Sequence, residues 1–157
     1  MRNRIQAGFT MVELIVVIVI LGILAAVALP KFMGLEKEAR IAALKSMGGT
    51  MNSAAQMAHG LCMAQNCANG ATIVIDGQNV VFANGYPNTA SIQLLLQSTE
   101  GFTGAANRLT KAGATTANCW VQYNAATATL PPTIQYQAGV MSSANEAAIN
   151  TALRTQC

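Results

Sequence analysis

Charge is what this 157-residue sequence has least of: nine Lys and Arg with six Asp and Glu make 10% of the chain, against ~25% in an ordinary soluble domain. Asp, His and Trp occur once each. A Ser-His-Asp arrangement would therefore have to bring His59 and Asp76 to an unspecified Ser, and no nucleophile-elbow motif accompanies either. No phosphate-cradling glycine motif is present, and the spacing of Asp76, Glu100 and Glu146 makes no acid pair. The sequence is thus read as that of a non-enzyme. Beyond residue 46 the basic residues Arg108, Lys111 and Arg154 balance those three acids, so there is no strong nucleic-acid signal. With 52% hydrophobic residues and a mean hydropathy of +0.37, disorder and a polyelectrolyte role are excluded. The length suits one domain with an appendage and leaves no room for a second enzymatic one.

What is present in quantity is concentrated. Leu14 to Leu29, LIVVIVILGILAAVAL, carries no charge and no hydrogen-bonding side chain. With Phe9 to Glu13 it makes a segment of 21 residues, and ~20 residues of helix at ~1.5 Å each span the ~30 Å hydrocarbon core. A removable secretory signal is the rival reading, since Arg2 and Arg4 precede the run and Ala26-Val27-Ala28 imitates a cleavage site. Pro30-Lys31-Phe32 and continued apolar helical spacing beyond it favour a retained span. Glu13 is the anomaly, because a carboxylate near the bilayer costs a few kcal/mol and is usually paired or functional; the plain alternative is snorkelling to the interface.

The stretch Gly8-Phe9-Thr10-Met11-Val12-Glu13-Leu14, behind a short basic leader and ahead of the apolar run to Pro30, resembles the processing site of type IV pilins and the related pseudopilins of type II secretion. The resemblance implies that a prepilin peptidase cuts after Gly8, that Phe9 becomes an N-methylated N-terminus, and that the helix stays. It implies that Glu13, one turn from the new amine, meets the amine of a neighbouring subunit during assembly. It also implies that the helix loosens at Gly22 and Pro30, positions whose plain readings are close packing for Gly22 and a helix end or kink for Pro30. Phe32, the Phe82-to-Pro87 run, the Cys119 strand and the terminal Cys157 are similar to the mannose-sensitive haemagglutinin type of pilin, from which Cys62 and Cys67 depart.

Past the span, Ile41, Leu44, Met47, Met51, Ala54, Ala58 and Leu61 fall at three- and four-residue steps, one stripe of a helix. A helix from Phe9 to Gly60, its expected stop, would be ~75 Å long, too long for a bilayer. The remaining residues suggest strands at 72–75, 80–82, 119–123 and 133–136. A short helix is expected over 90–97, and a final one, opened by a capping box at Ser143-Ala144-Asn145-Glu146, runs to Leu153. His59, Cys62 and Cys67 offer three metal ligands without a nearby fourth, so no metal or cofactor is expected. His59 reads instead as a solvated helix-end residue. Four cysteines read as two disulfides. The residues leave three pairings open; Cys119 with Cys157 and Cys62 with Cys67 is the expected set, the short loop being able to bend at Asn66.

The expected fold is α+β: a long N-terminal helix, half membrane-spanning and half amphipathic, packed on a small antiparallel sheet head. The expected divisions are a leader over 1–8, a helix over 9–60 with its membrane and assembly segment at 9–29, and a head over 61–157. The expected role is that of a structural pilin subunit for adhesion or surface motility. The alternatives are a pseudopilin and a membrane-tethered periplasmic binding domain. The expected partners are further copies of the chain, the prepilin peptidase, an assembly platform with its ATPase, and the inner membrane before export to the fibre. Lys31, Lys37, Arg40 and Lys45 follow the span and argue by charge for the opposite orientation; the cysteines and the resemblance place the C-terminal part outside the cytoplasm.

Overall fold

The computed structural model describes residues 9–114, 118–137, 140–141 and 145–157. Two compact units emerge, one ending at Glu36 and the other running from Lys37 to Cys157. A single helix, α1 (Met11–Ala64), belongs to both. It does not end at Pro30. The missing N–H deprives the Ala26 carbonyl of its partner, yet the helix continues to Ala64. Nor does it stop at Gly60, where glycine costs only ~1 kcal/mol against alanine. The next turn buries Cys62, while Leu61 is only half-buried, so the stripe ends on the cysteine. The chain then turns at Asn66, whose φ of 51° is left-handed, a conformation Asn tolerates at helix ends. There the Cys67 N–H donates to the Cys62 carbonyl at 2.9 Å.

Within the second unit the sheet is double. Strands β1 (Thr72–Ile75), β2 (Gln78–Ala83) and β3 (Tyr86–Pro87) form an antiparallel three-stranded sheet. Its first turn, Asp76-Gly77, has φ of 48° and 78°, the pair of left-handed residues that a tight hairpin of right-twisted strands requires. Strands β4 (Phe102–Ala105), β5 (Arg108–Lys111), β6 (Trp120–Asn124), β7 (Thr133–Tyr136) and β8 (Val140–Met141) form a five-stranded antiparallel sheet in chain order. The expected helix at 90–97 is instead a 3-10 turn, Ile92–Leu95, closed by the Leu96 N–H on the Gln93 carbonyl. Helix α2 spans Glu146–Gln156. Its cap is Asn145, whose Oδ1 accepts from the Ala148 N–H at 2.8 Å; Ser143, the expected cap, lies outside the described residues.

The core follows from periodicities of 3.6 and 2. Ile41, Leu44, Met47, Met51, Ala54 and Ala55 of α1 meet Leu109, Val121, Tyr123, Ile134 and Tyr136, alternate residues of β5 to β7. Each fully buried large side chain contributes ~1.5–3 kcal/mol. Gly48 is buried under Tyr136, where a Cβ would lie 2.8 Å from Cζ, so helix and sheet approach this closely only over glycine. A smaller cluster, Ala58, Cys62, Val80 and Phe82, seats the three-stranded sheet. The two sheets are joined by the Tyr123 hydroxyl, which donates to the Pro87 carbonyl at 2.8 Å. Trp120 is buried, with the Arg108 guanidinium 4.0 Å above its ring.

Candidate processing and assembly segment

The first unit is the inverse of that core. From Leu14 to Leu29 the large apolar side chains are all 45–65% exposed. An 18-residue window of the helix reaches a mean hydropathy of 3.1 with none of it buried. This helix is long and apolar enough to cross a membrane, and an apolar surface of this extent marks contact with lipid or another protein.

At the start of the segment, Phe9 and Thr10 precede the helix and Met11 opens it. Thr10 and Glu13 close the terminus reciprocally. The Glu13 N–H donates to Thr10 Oγ1 at 3.2 Å, while the Thr10 N–H and hydroxyl both donate to Glu13 Oε2 at 2.9 Å. This is a capping box, Thr-x-x-Glu, which satisfies orphan donors of the first turn and places a negative charge at the positive end of the helix. The signal was present in the sequence as Thr10 three residues before Glu13, ahead of an apolar run. Glu13 stood out there as a charge, whereas Thr10 did not.

Of the other expected positions, Gly8 and the leader lie outside the described residues. Gly22 has open space where a side chain would stand, and Pro30 is inside the helix. Neither Gly22 nor Pro30 lies beside Glu13, from which they are two and more helical turns away along α1. In the second unit, Cys119 is bonded to Cys157, with Cα atoms 4.9 Å apart, and Cys62 to Cys67 at 5.0 Å. His59 is not a solvated end residue: its Nδ1 lies 2.7 Å from the Gly85 carbonyl, which can only accept, so Nδ1 carries the proton. Its ring also stacks on Tyr86 at 4.0 Å.

Two ion pairs of the second unit fasten α2 to α1. Lys45 meets Glu146 at 2.6 Å and Arg154 meets Glu38 at 2.8 Å. The Lys45 hydrogen bond and charge hold the Glu146 carboxyl below its ordinary range. Burial, and secondarily Tyr86, pushes the Tyr123 phenol above its own. A groove of about 870 Å³ between α1, the β1–β2 turn and residues 94–98 holds one carboxylate, Asp76, and no His or Cys, a lining without an acid-base pair.

Comparison with known proteins bears on this segment. The family described as the prokaryotic N-terminal methylation motif matches residues 3–29. The fimbrial protein EcpC of Eikenella corrodens is 32% identical over 83 residues, 51% of this chain and 54% of its own. The type IV major pilin protein PilE1 of Neisseria gonorrhoeae is 36% identical over 91 residues, 53% of this chain and 42% of its own. The type II secretion system core protein G of Pseudomonas aeruginosa is 47% identical over 45 residues, 29% of this chain and 32% of its own. The chain thus spans about half or less of the length of these relatives. No solved structure matches. The methylation motif overlaps the apolar helix, and the chain is similar both to type IV pilins and fimbrial proteins and to a type II secretion core protein.

Proposed function

We propose that the chain is a structural pilin subunit, held in the inner membrane by residues 9–29 with its C-terminal part outside the cytoplasm, then polymerised into a surface fibre for adhesion or motility. In this reading residues 1–8 are a leader that a prepilin peptidase removes between Gly8 and Phe9. The amine of Phe9 is then methylated. Glu13 meets that amine on a neighbouring copy, and Gly22 and Pro30 are where α1 loosens as helices bundle. Residues 61–157 form the head exposed on the fibre, braced by the two disulfides. An assembly platform and its ATPase supply the energy.

The observation that carries this reading is the contrast along one helix: the stripe from Ile41 to Cys62 is buried by the head, whereas Leu14 to Leu29 has no cover of its own. Lipid first and other subunits later would supply it. Shearing fibres from producing cells and identifying their major protein by mass spectrometry tests the reading; absence of this chain from the fibres would refute it. The similarity to a type II secretion core protein favours a pseudopilin as the second reading, in which loss of the chain abolishes protein export and leaves surface fibres intact.

A further inference from the structure

Among the described residues the strands at the rims of the two sheets are β1, β3, β4 and β8, and of these only β1 lacks a guard. Strands β3 and β8 have two residues each, and β3 ends in Pro87; β4 is interrupted by Gly104 at a φ of 134°. Short length, proline and a broken pleat are how natural sheets keep an edge from pairing. Strand β1, Thr-Ile-Val-Ile, is β-branched throughout, with no charge and no proline. Its bonds to β2 use one set of residues. The Phe82 N–H donates to the Ala71 carbonyl at 2.8 Å, and in that register Ile73 and Ile75 face Val80 and Gln78 as the hydrogen-bonded pairs, so Thr72 and Val74 turn their N–H and C=O groups outward. Both of these side chains are exposed, Val74 by 65%, while Ile73 and Ile75 pack on the small cluster. We infer that β1 joins β1 of a second copy of this chain, antiparallel about a two-fold axis at Ile73. Thr72 and Val74 of one copy then exchange hydrogen bonds with Val74 and Thr72 of the other, and the two three-stranded sheets run on as one. Charge selects the same arrangement. The one charged residue of the β1–β2 hairpin is Asp76, and the two-fold sets the two Asp76 side chains at opposite ends of the joint, ~20 Å apart and beyond the ~8 Å Debye length. A parallel pairing would put them side by side. The inference rests on the reading of the chain as a polymerising subunit and goes beyond it: a single strand pair is marginal, but a fibre repeats it along its length, so avidity holds two fibres together.

Position 74 tests the joint from outside the core. In the two-fold pairing the two residues 74 are diagonal neighbours on the exposed face, ~7–8 Å apart and within reach of long side chains. Two lysines or two glutamates repel there, whereas a lysine beside a glutamate attracts. Fibres sheared from cells producing the full-length chain are purified, and sedimentation at a speed that pellets only associated fibres is read beside electron micrographs. Fibres of the original chain and of Val74→Thr should pellet as side-by-side bundles. Those of Val74→Lys and of Val74→Glu should each pellet about tenfold less, because a small loss at every joint multiplies along the fibre. Mixing these two should restore pelleting. Undiminished pelleting of Val74→Lys overturns the inference, as does a mixture that stays in suspension. Association only after cell extract is added would assign the edge to a foreign strand, and loss of fibres by both charged variants would show β1 buried inside the fibre; either result overturns it. If the original chain forms no fibres, the polymerising-subunit reading fails; if it forms fibres that stay single, only the joint does.

Discussion

Two tyrosines show how single side chains hold the second unit together. Tyr136 lies across Gly48, so a methyl group at position 48 would displace the ring. Gly48→Ala should therefore lower stability by ~1–3 kcal/mol, the usual cost of overpacking, although alanine is the better helix former; urea unfolding of the two proteins measures the difference. Tyr123 donates its hydroxyl to the Pro87 carbonyl from a buried site, and burial raises its phenol above the ordinary value of 10.0. A group whose folded pKa lies above its unfolded value contributes fully below the unfolded pKa and loses that contribution as pH rises. Stability should hold to about pH 10 and fall beyond it. The fall should be shallower in Tyr123→Phe, with Tyr136, also raised by burial, supplying what remains.

Among the elements, α2 depends most on attachments. Among its described side chains Ile149 and Leu153 are buried, and it is further fastened by Cys119–Cys157 and the pairs Lys45–Glu146 and Arg154–Glu38. The long disulfide closes 38 residues and the short one 5, for which chain entropy gives about 4 and about 2 kcal/mol. Cys157→Ser should accordingly destabilise the second unit more than Cys62→Ser, as thermal unfolding of each variant would register. The opposite order would show that the small cluster around Cys62 matters more than loop length. Glu146 adds a pH dependence of the other sign: with its folded pKa lowered by Lys45, its contribution is present above about pH 4.5 and fades as pH falls, small because the carboxylate is exposed.

These same elements differ in how far the sequence announced them. The stripe of α1, the Asp76-Gly77 hairpin and the 133–136 strand were legible because apolar period and turn chemistry coincide there. The β4–β5 hairpin was not. Phe102–Ala105 is FTGA, too short of apolar residues to alternate visibly, and in the Ala106-Asn107 turn between the strands the left-handed residue is Ala106 at a φ of 57°, so Asn107 alone signals the turn. Leu109 alone of β5 points into the core as a buried apolar residue. The end of α1 was misplaced because Gly60 is a stop only if nothing beyond it gains from helix, and Cys62 does. At the N-terminus the charge of Glu13 was conspicuous and its partner Thr10 was overlooked, since a polar residue two places past a cleavage motif reads as part of the motif.

For the whole molecule, one helix is bare along its apolar N-terminal part and buried from Ile41 to Cys62, and in the proposed reading Glu13 is where lipid and fibre make opposite demands. Removing the carboxylate makes insertion into lipid easier by a few kcal/mol but, in that reading, deprives assembly of an acceptor. Glu13→Val should therefore accumulate as cleaved protein in the membrane and yield few fibres, seen by fractionation of the same cells. Normal fibre yield from that cleaved variant would remove Glu13 from assembly. The central claim is that this chain is processed after Gly8 and then built into a fibre. The mass of the N-terminal peptide from sheared surface fibres tests it most directly: the account predicts a peptide beginning at Phe9 with one added methyl group, and a fibre protein still carrying residues 1–8 would contradict it.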